Sequence, residues 1–495
     1  MKAASDSREA FRTFLADHPG YETTTALDAL RKREFARLDQ QGQVYVDYTG
    51  SGLYGVSQVR GHAEALLGEV LGNPHSESPA SRLSTRLVEG CRRRVLDYFR
   101  ADPSEYSVVF TANASHALKL VGESYPFGPG DTFLLTFDNH NSVNGIREFD
   151  RLRGAKTLYV PMMPPELRVD DAVLDQHLAQ ADPAAHNLFA YPAQSNFSGV
   201  QHPLEWIERA QSKGFDVLLD AAAFVPTNRL DLSRYHPDFV ALSFYKMFGY
   251  PTGVGALIAR NTALQKLLRP WFAGGTIEAA SVQADRFVFS RGAAGFEDGT
   301  LDFASIPAVE LGLDLIESVG LDAIHHRVMA LTAWTIDRLI EMAHPNGRPL
   351  VRLYGPPHAD RRGGTLAFNF YDAEDHIVDH REVERRAVAQ NISLRSGCFC
   401  NPGAGELALG LSRGELEKCF AKSPRMTRDD LRLCIDPKAT GAVRISFGLA
   451  SNFADAHAFV EFAAGFTAMF PPSVDRELRG YRISSSRASR SFPRS

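Results

Sequence analysis

The sequence predicts an α/β protein, with a large domain on a mostly parallel seven-stranded sheet followed by a smaller α/β domain. Three observations predict it. Short apolar runs bounded by turn residues recur at Ser107–Phe110, Thr132–Leu135, Thr157–Val160, Asn187–Tyr191, Asp216–Leu219, Phe239–Ser243 and Val254–Ile258. Helical patterns alternate with several of these runs, as a parallel sheet covered on both faces requires. One is Leu83, Leu87, Cys91, Val95 and Phe99, spaced by four on a single helix face. Turn chemistry marks the boundaries: Gly128-Pro129-Gly130-Asp131 precedes one strand and Pro251-Thr252-Gly253 another.

The remaining elements follow in chain order. Residues 1–40 read as helical, with Phe11, Phe14 and Leu15, then Leu27, Leu30, Phe35 and Leu38, and are expected to pack on the smaller domain. The large domain spans residues 41–318 and ends in the helical stretch Ile306–Ser318. The smaller domain, 319–470, opens with the helix Leu321–Ala343, and Pro345-Asn346-Gly347 turns the chain into its α/β part. Residues 471–495 carry six arginines among serines and read as a disordered tail.

Composition narrows the class. The chain has 495 residues, 44% hydrophobic and 23% charged, enough for a large core and more than one domain. A net charge of −5 argues against a nucleic-acid partner, which needs a basic face. No apolar run is long enough to span a membrane, and the N-terminus lacks the apolar core of a signal peptide. Five cysteines, an odd number, do not make a disulfide framework. A reduced, cytoplasmic enzyme is the expectation.

Three local patterns carry chemistry. Lys246 directly follows an apolar strand in Ser243-Phe244-Tyr245-Lys246; a lysine desolvated at a strand end can form a Schiff base, whereas an ordinary lysine there is exposed. Asp220 ends the strand of Val217-Leu218-Leu219-Asp220 and either caps the next helix or pairs with a buried cation such as a protonated pyridine nitrogen. Cys398 and Cys400 lie in Arg395-Ser396-Gly397-Cys398-Phe399-Cys400-Asn401, a glycine-containing loop expected to be mobile, with exposed thiols near arginines. A metal site from Cys398, Cys400, Cys419 and Cys434 lacks paired-knuckle spacing, so no metal is expected, and Cys91 on its apolar stripe reads as an inert core residue. Gly403-Ala404-Gly405-Glu406-Leu407-Ala408 fits a dinucleotide fingerprint only loosely and follows no convincing strand.

The order is more informative than any one pattern: an acid-ending strand, a lysine-ending strand, then a cysteine loop in a second domain. This order resembles the fold-type I pyridoxal-phosphate enzymes of the class V aminotransferase and cysteine desulfurase group. Within it the chain is most like the sulfurase domain of molybdenum cofactor sulfurases. The segments that carry the likeness are Gly72-Asn73-Pro74-His75-Ser76, Tyr191–Gly199, Ser243–Lys246, Phe296-Glu297-Asp298-Gly299-Thr300, Arg395–Asn401 and Val443-Arg444-Ile445-Ser446-Phe447-Gly448.

The resemblance implies pyridoxal 5′-phosphate as cofactor, linked to Lys246, with Asp220 on its ring nitrogen and His140 stacked on the ring as an acid/base. It implies phosphate contacts from Ala114 and Ser115 at a helix N-terminus, from Ser243, and from Tyr245. Thr300 is similar to a threonine that reaches the neighbouring subunit's phosphate, which implies a homodimer with shared sites. Asn196 and Arg444, helped by Arg395, would hold the carboxylate of an L-cysteine substrate. Cys400 would take the sulfur as a persulfide, with Cys398 as a helper, and pass it to a separate acceptor. Ala223 departs from cysteine desulfurases, which carry a ring-hydroxyl glutamine there; Tyr245 stands where they carry a histidine. Molybdenum cofactor sulfurases also continue into a further C-terminal domain where this sequence has its arginine/serine tail. The alternatives are a C–S lyase, epimerase or aminotransferase on the same scaffold, and a non-catalytic relay protein in which Lys246 is idle.

Overall fold

The computed structural model describes residues 2–467 apart from 75, 269–273, 424 and 436–440. His75 and the 471–495 tail lie outside the described residues.

All seven expected strands form, and they make one sheet in the order Tyr106–Thr111, Gly255–Arg260, Phe239–Ser243, Phe215–Asp220, Asn187–Pro192, Thr132–Thr136, Lys156–Val160. Every strand except Gly255–Arg260 points the same way; that one is antiparallel to both neighbours. The reason lies in the connection. Residues 244–254 hold only a one-turn helix and a turn, too little chain for the crossover that a parallel return needs. Apart from the edge strand Lys156–Val160, which is mostly half-buried, the strands are buried on both faces, which is why they read as continuous apolar runs rather than as alternating ones. Their common orientation brings Thr111, Pro192, Asp220 and Ser243 to one edge of the sheet, where α/β proteins place their ligands.

The smaller domain also combines a sheet with helices, but its sheet differs from the first in direction. Its order is Val351–Tyr354, Thr365–Phe370, Ala442–Ser446, Arg395–Gly397, and every pairing is antiparallel. Val44–Tyr45 pairs in parallel with Ile392–Ser393, and Asp47 bridges to Ser446, so the chain leaving the N-terminal helices is stitched onto this second sheet.

The N-terminal helices Lys2–Asp17 and Ala26–Glu34 pack against the helices Leu321–Glu341 and Phe453–Ala464, and the short helix Ala36–Gln40 packs on Ala26–Glu34. Phe14 stacks within 4.7 Å of Phe453 and meets Tyr21 and Trp334 edge-on. Arg31, 5% exposed, donates to Asp455 at 2.5 Å and to Asp39 at 2.8 Å, and also to the Ala450 carbonyl. Cys91, Val95 and Phe99 are buried, whereas Leu83 and Leu87 are half-buried; Cys91 gives its thiol to the Ile306 carbonyl, and burial pushes its pKa well up.

The cysteine expectation changes at one place. Cys419 and Cys434 are disulfide-bonded, joining the helices Arg413–Phe420 and Arg428–Ile435, and Cys91, Cys398 and Cys400 are free. An odd count could not locate this pair, and the pair removes two ligands from any four-cysteine metal site. Among the described residues no helix is long and apolar enough to cross a membrane.

Replacing Arg31 by methionine would strand the buried Asp455 carboxylate without its counter-charge. Urea unfolding is expected to show a loss of about 3–5 kcal/mol for Arg31→Met. A loss below about 1 kcal/mol would mean that the N-terminal helices are held by their apolar contacts alone.

Candidate active site

The site grows from the sheet edge. Asp220 is the last residue of its strand, 8% exposed, and its Oδ1 accepts from the Ala222 backbone N–H at 3.0 Å. Lys246 sits one turn beyond the neighbouring strand, in the short helix Phe244–Phe248. Burial pushes its amine pKa below that of a free lysine, the Asp220 carboxylate opposes that shift, and the Arg444 guanidinium adds to it. The glycine-rich segment after Asp47 closes over this turn. Gly52 N–H donates to the Tyr245 carbonyl at 3.1 Å, and a Cβ at Gly52 would lie 2.9 Å from the Lys246 carbonyl.

His140 caps the short helix Asn141–Asn144, its Nδ1 accepting from Ser142 N–H at 3.1 Å. That bond fixes the neutral tautomer, with the proton on Nε2. Burial lowers the imidazole pKa; Asp220 pulls it up, and Lys246 and Arg444 push it down, so all four groups share one electrostatic neighbourhood. The loop that carries His140 is fixed from behind: Asp138 Oδ2 pairs with His202 Nε2 at 2.9 Å, and Asn139 donates to the Thr136 and Ala190 carbonyls.

A polar cradle lies at the N-terminus of the eleven-residue helix Ala114–Ser124. Ala114 N–H donates to Ser243 Oγ at 2.8 Å, Ser115 Oγ and Ser142 Oγ are 2.6 Å apart, and Asn113 caps the helix through His116 N–H. The helix end comes this close to the strands because residue 255 is glycine; a Cβ there would lie 2.6 Å from the Asn113 Cα. First-turn N–H groups, serine hydroxyls and the helix dipole together suit a phosphate. An amine with depressed pKa, a buried carboxylate and this cradle fit pyridoxal phosphate at its three chemical handles.

On the other side stand the arginines. Arg395 and Arg444 are direct cross-strand partners, and Asp47 lies between them. Its Oδ1 accepts from Arg444 Nη2 at 3.0 Å and its Oδ2 from Arg395 Nη2 at 2.7 Å. Arg444, 4% exposed, also donates from Nη1 to the Asn196 carbonyl at 2.9 Å, and its buried Nε has no partner among the described residues. Burial depresses its pKa and Asp47 opposes that depression. A buried guanidinium with a spare donor is suited to a carboxylate ligand.

The cysteine loop differs from the mobile loop expected from sequence. Four hydrogen bonds pin it: Asn141 N–H to the Cys400 carbonyl at 2.7 Å, Asn196 Nδ2 to the Phe399 carbonyl at 2.7 Å, and Asn401 Nδ2 to the Asp138 carbonyl at 2.6 Å and to Asn196 Oδ1 at 2.9 Å. Phe399 and Cys400 both take positive φ, 55° each, a conformation non-glycine residues adopt only when held. Phe399 packs under the Arg444 guanidinium, while Cys400 is exposed and Cys398 half-buried. Cys400 nevertheless lies near enough to Lys246 and Arg444 for its thiolate charge to act on both.

The structure therefore brings together Lys246, Asp220, His140, Cys400, Arg444 and Arg395, with Ala114, Ser115 and Ser243 at the cradle. Asn196 stands beside Arg444, but both ends of its amide are engaged by the cysteine loop. Tyr245 has its phenol in the field of Arg395 and Asp47, on the arginine side. Thr300 is exposed and accepts from Asn73 Nδ2 at 3.2 Å, at the surface of this chain. Sequence reasoning missed Asp47, Ser142 and Asn401. The Gly50 and Gly52 punctuation after Asp47 was the available signal: a Cβ at Gly50 would lie 2.5 Å from Asp47 Oδ2.

Comparison with known proteins gives the family and the fold. The class-V aminotransferase family profile matches residues 44–459, and the chain belongs to that family of enzymes. It is 39% identical over 468 residues to the molybdenum cofactor sulfurase of Bos taurus, covering 90% of this chain and 52% of that protein. It is 37% identical to the molybdenum cofactor sulfurase of Arabidopsis thaliana, covering 92% of this chain and 60% of that one. The chain thus spans little more than half the length of these relatives. Among solved structures, a cysteine desulfurase from Thermococcus onnurineus superposes with a TM-score of 0.74 at 24% identity, over 89% of this chain and 98% of that one. The cysteine desulfurase CsdA of Escherichia coli gives 0.71 at 20% identity, over 90% and 99%. The fold is that of the fold-type I pyridoxal-phosphate enzymes.

The charges around Lys246 set a testable pH dependence. Capture of pyridoxal phosphate by the apoprotein, followed by absorbance, needs the neutral amine, so its rate is expected to rise with pH around a midpoint below the ordinary lysine value of about 10.4. Asp220→Asn removes the group that holds the amine pKa up and is expected to move that midpoint lower still. A midpoint unmoved or raised by Asp220→Asn would contradict the pairing.

Proposed function

We propose that the chain is a pyridoxal-phosphate-dependent cysteine desulfurase of the sulfurase type, converting L-cysteine to alanine and leaving the sulfur on Cys400 as a persulfide. The observation that carries this reading is the pinning of the Cys400 loop beside Lys246, His140 and Arg444. A transaminase has no need of a thiol there.

When bound, pyridoxal phosphate supplies an electrophilic carbon and an electron-accepting ring that make the substrate Cα–H acidic and the Cβ–S bond labile. Lys246 contributes an amine kept neutral by burial, able to attach the cofactor and then to carry the Cα proton on Nζ. Asp220 keeps the ring nitrogen protonated. His140, with its proton on Nε2, would lie against the ring and serve as an acid/base. Arg444, held in place by Asp47, receives the substrate carboxylate. Cys400 Sγ, as thiolate, attacks the substrate sulfur: the Cβ–S bond breaks, an S–S bond forms, and Cβ takes a proton. The sum is cysteine plus Cys400 thiol giving alanine plus Cys400 persulfide.

Exposure of Cys400 supports transfer to an acceptor that comes from solvent, a separate protein or small molecule. The proposal includes a cytoplasmic setting, in which Cys400 stays a free thiol; the Cys419–Cys434 bond is the feature that runs against it. A homodimer is part of the proposal: Asn73 and Thr300 are bonded at the surface, and the segments flanking them expose Leu67, Val70, Val282 and Val288. In a dimer Thr300 would reach the partner's cradle.

The test pairs wild-type holoprotein with Cys400→Ala. Wild type is expected to form alanine and a protein persulfide from cysteine, detected by mass spectrometry of the intact chain. Cys400→Ala is expected to bind the cofactor normally, form no persulfide and lose at least about 100-fold in sustained alanine release, the scale for loss of a nucleophile. An active Cys400→Ala would move the function to C–S lyase, epimerase or aminotransferase chemistry.

A further inference from the structure

One flank of the cofactor seat has no residue assigned to it. Across the sheet edge the order is Ser243, then Asp220, then the segment that follows Pro192. Pyridoxal phosphate carries its ring nitrogen opposite the aldehyde carbon, with the phosphate arm on one neighbouring carbon and the 3-oxygen on the other. Three anchors then orient the ring: the nitrogen at Asp220, the aldehyde carbon at Lys246, and the phosphate beside Ala114 and Ser243. They leave the 3-oxygen on the flank away from Ser243, towards the segment that follows Pro192. A small cavity beside Lys246 includes residues of that segment and is lined by Gln194, Ala223, Thr227, Thr49 and Thr365.

Within this lining Gln194 has the donor to spare. It is 3% exposed, and its Oε1 accepts from Gln201 Nε2 at 3.1 Å and from Asn228 Nδ2 at 3.4 Å, which fixes the sense of the amide. Its Nε2, which has two hydrogens, makes a single long contact of 3.4 Å to Thr365 Oγ1. Room for the amide comes from two small residues. A Cβ at Gly363 would sit 1.9 Å from Gln194 Oε1, and Ala223 offers only a methyl group, with no donor. The threonines are weaker candidates. Thr49 and Thr365 bond each other at 2.6 Å, and Thr227 Oγ1 already accepts from Asn228 Nδ2 at 3.0 Å, though it keeps its own proton to donate.

We propose that Gln194 Nε2 donates a hydrogen bond to the 3-oxygen of pyridoxal phosphate, with Gln201 and Asn228 as positioning residues behind it. The proposal rests on the cofactor anchors assigned above. Its consequence is electrostatic. The 3-oxygen carries negative charge and shares a proton with the Lys246 nitrogen. A donor that stabilises that charge makes the shared proton easier to lose.

The experiment is a pH titration of the near-visible absorbance of the holoprotein, in wild type, Gln194→Leu, Gln194→Glu and Thr227→Val. Glutamate keeps both acceptor contacts to Gln201 and Asn228, so it preserves a merely structural role while removing the donor. The midpoint is expected to rise by about one unit in Gln194→Leu and by at least as much in Gln194→Glu, with Thr227→Val at the wild-type value. Wild-type midpoints in both Gln194 variants, or a shift confined to Thr227→Val, would overturn the assignment of Gln194 while leaving the Lys246 linkage intact. A wild-type protein with no Lys246-dependent band would overturn the anchors themselves, and the assignment with them.

Discussion

A lysine amine taken out of water must either shed its proton or meet a counter-charge, and Lys246 is held where both pressures act. Burial and Arg444 drive the proton off, while Asp220 draws it back. The sheet enforces this balance. Asp220 and Ser243 end adjacent strands, and the one-turn helix after Ser243 leaves Lys246 a single turn from that edge. The short return through Gly255–Arg260 then packs the Ala114 helix against the same edge. The amine, the carboxylate and the phosphate cradle are therefore consequences of one local topology.

The second sheet brings the rest of the chemistry to that edge through a chain of polar contacts. Asp47 joins Arg395 to Arg444, Arg444 reaches the Asn196 carbonyl, and Asn196 and Asn401 hold the cysteine loop against the segment that carries His140. Buried polar networks of this kind orient groups closely but are costly when half satisfied. Here the open position is Arg444 Nε, which has no partner among the described residues. The thiol of Cys400 is thereby held on a fixed loop between the pocket and solvent, suited to taking sulfur from one side and giving it to the other.

Much of this was legible in the sequence, and the reasons divide cleanly. Strands buried on both faces announce themselves as apolar runs, so six of the seven were readable that way and the half-buried edge strand Lys156–Val160 by its β-branched and aromatic residues, together with Asp220 at one strand end and Lys246 just beyond another. The reversal of Gly255–Arg260 was not, because it depends on the length of a connection that reads only as a turn. The order Asp220, Lys246, Cys400 carried the family likeness, which the class-V aminotransferase match bears out. Asp47 had only the Gly50 and Gly52 punctuation to mark it, because its partners lie 348 and 397 residues further along the chain. The clamped cysteine loop was likewise hidden, since glycines and exposed polar residues suggest mobility unless the asparagine partners are known. The Cys419–Cys434 bond could not come from counting cysteines.

The central claim is that Lys246 is the residue through which the protein holds its cofactor. Reducing the yellow holoprotein with borohydride and mapping its peptides by mass spectrometry tests it directly. A pyridoxyl-phosphate adduct on the peptide containing Lys246, absent in Lys246→Ala, is the predicted result. An adduct on another lysine, or none on a protein that binds the cofactor, would contradict the account.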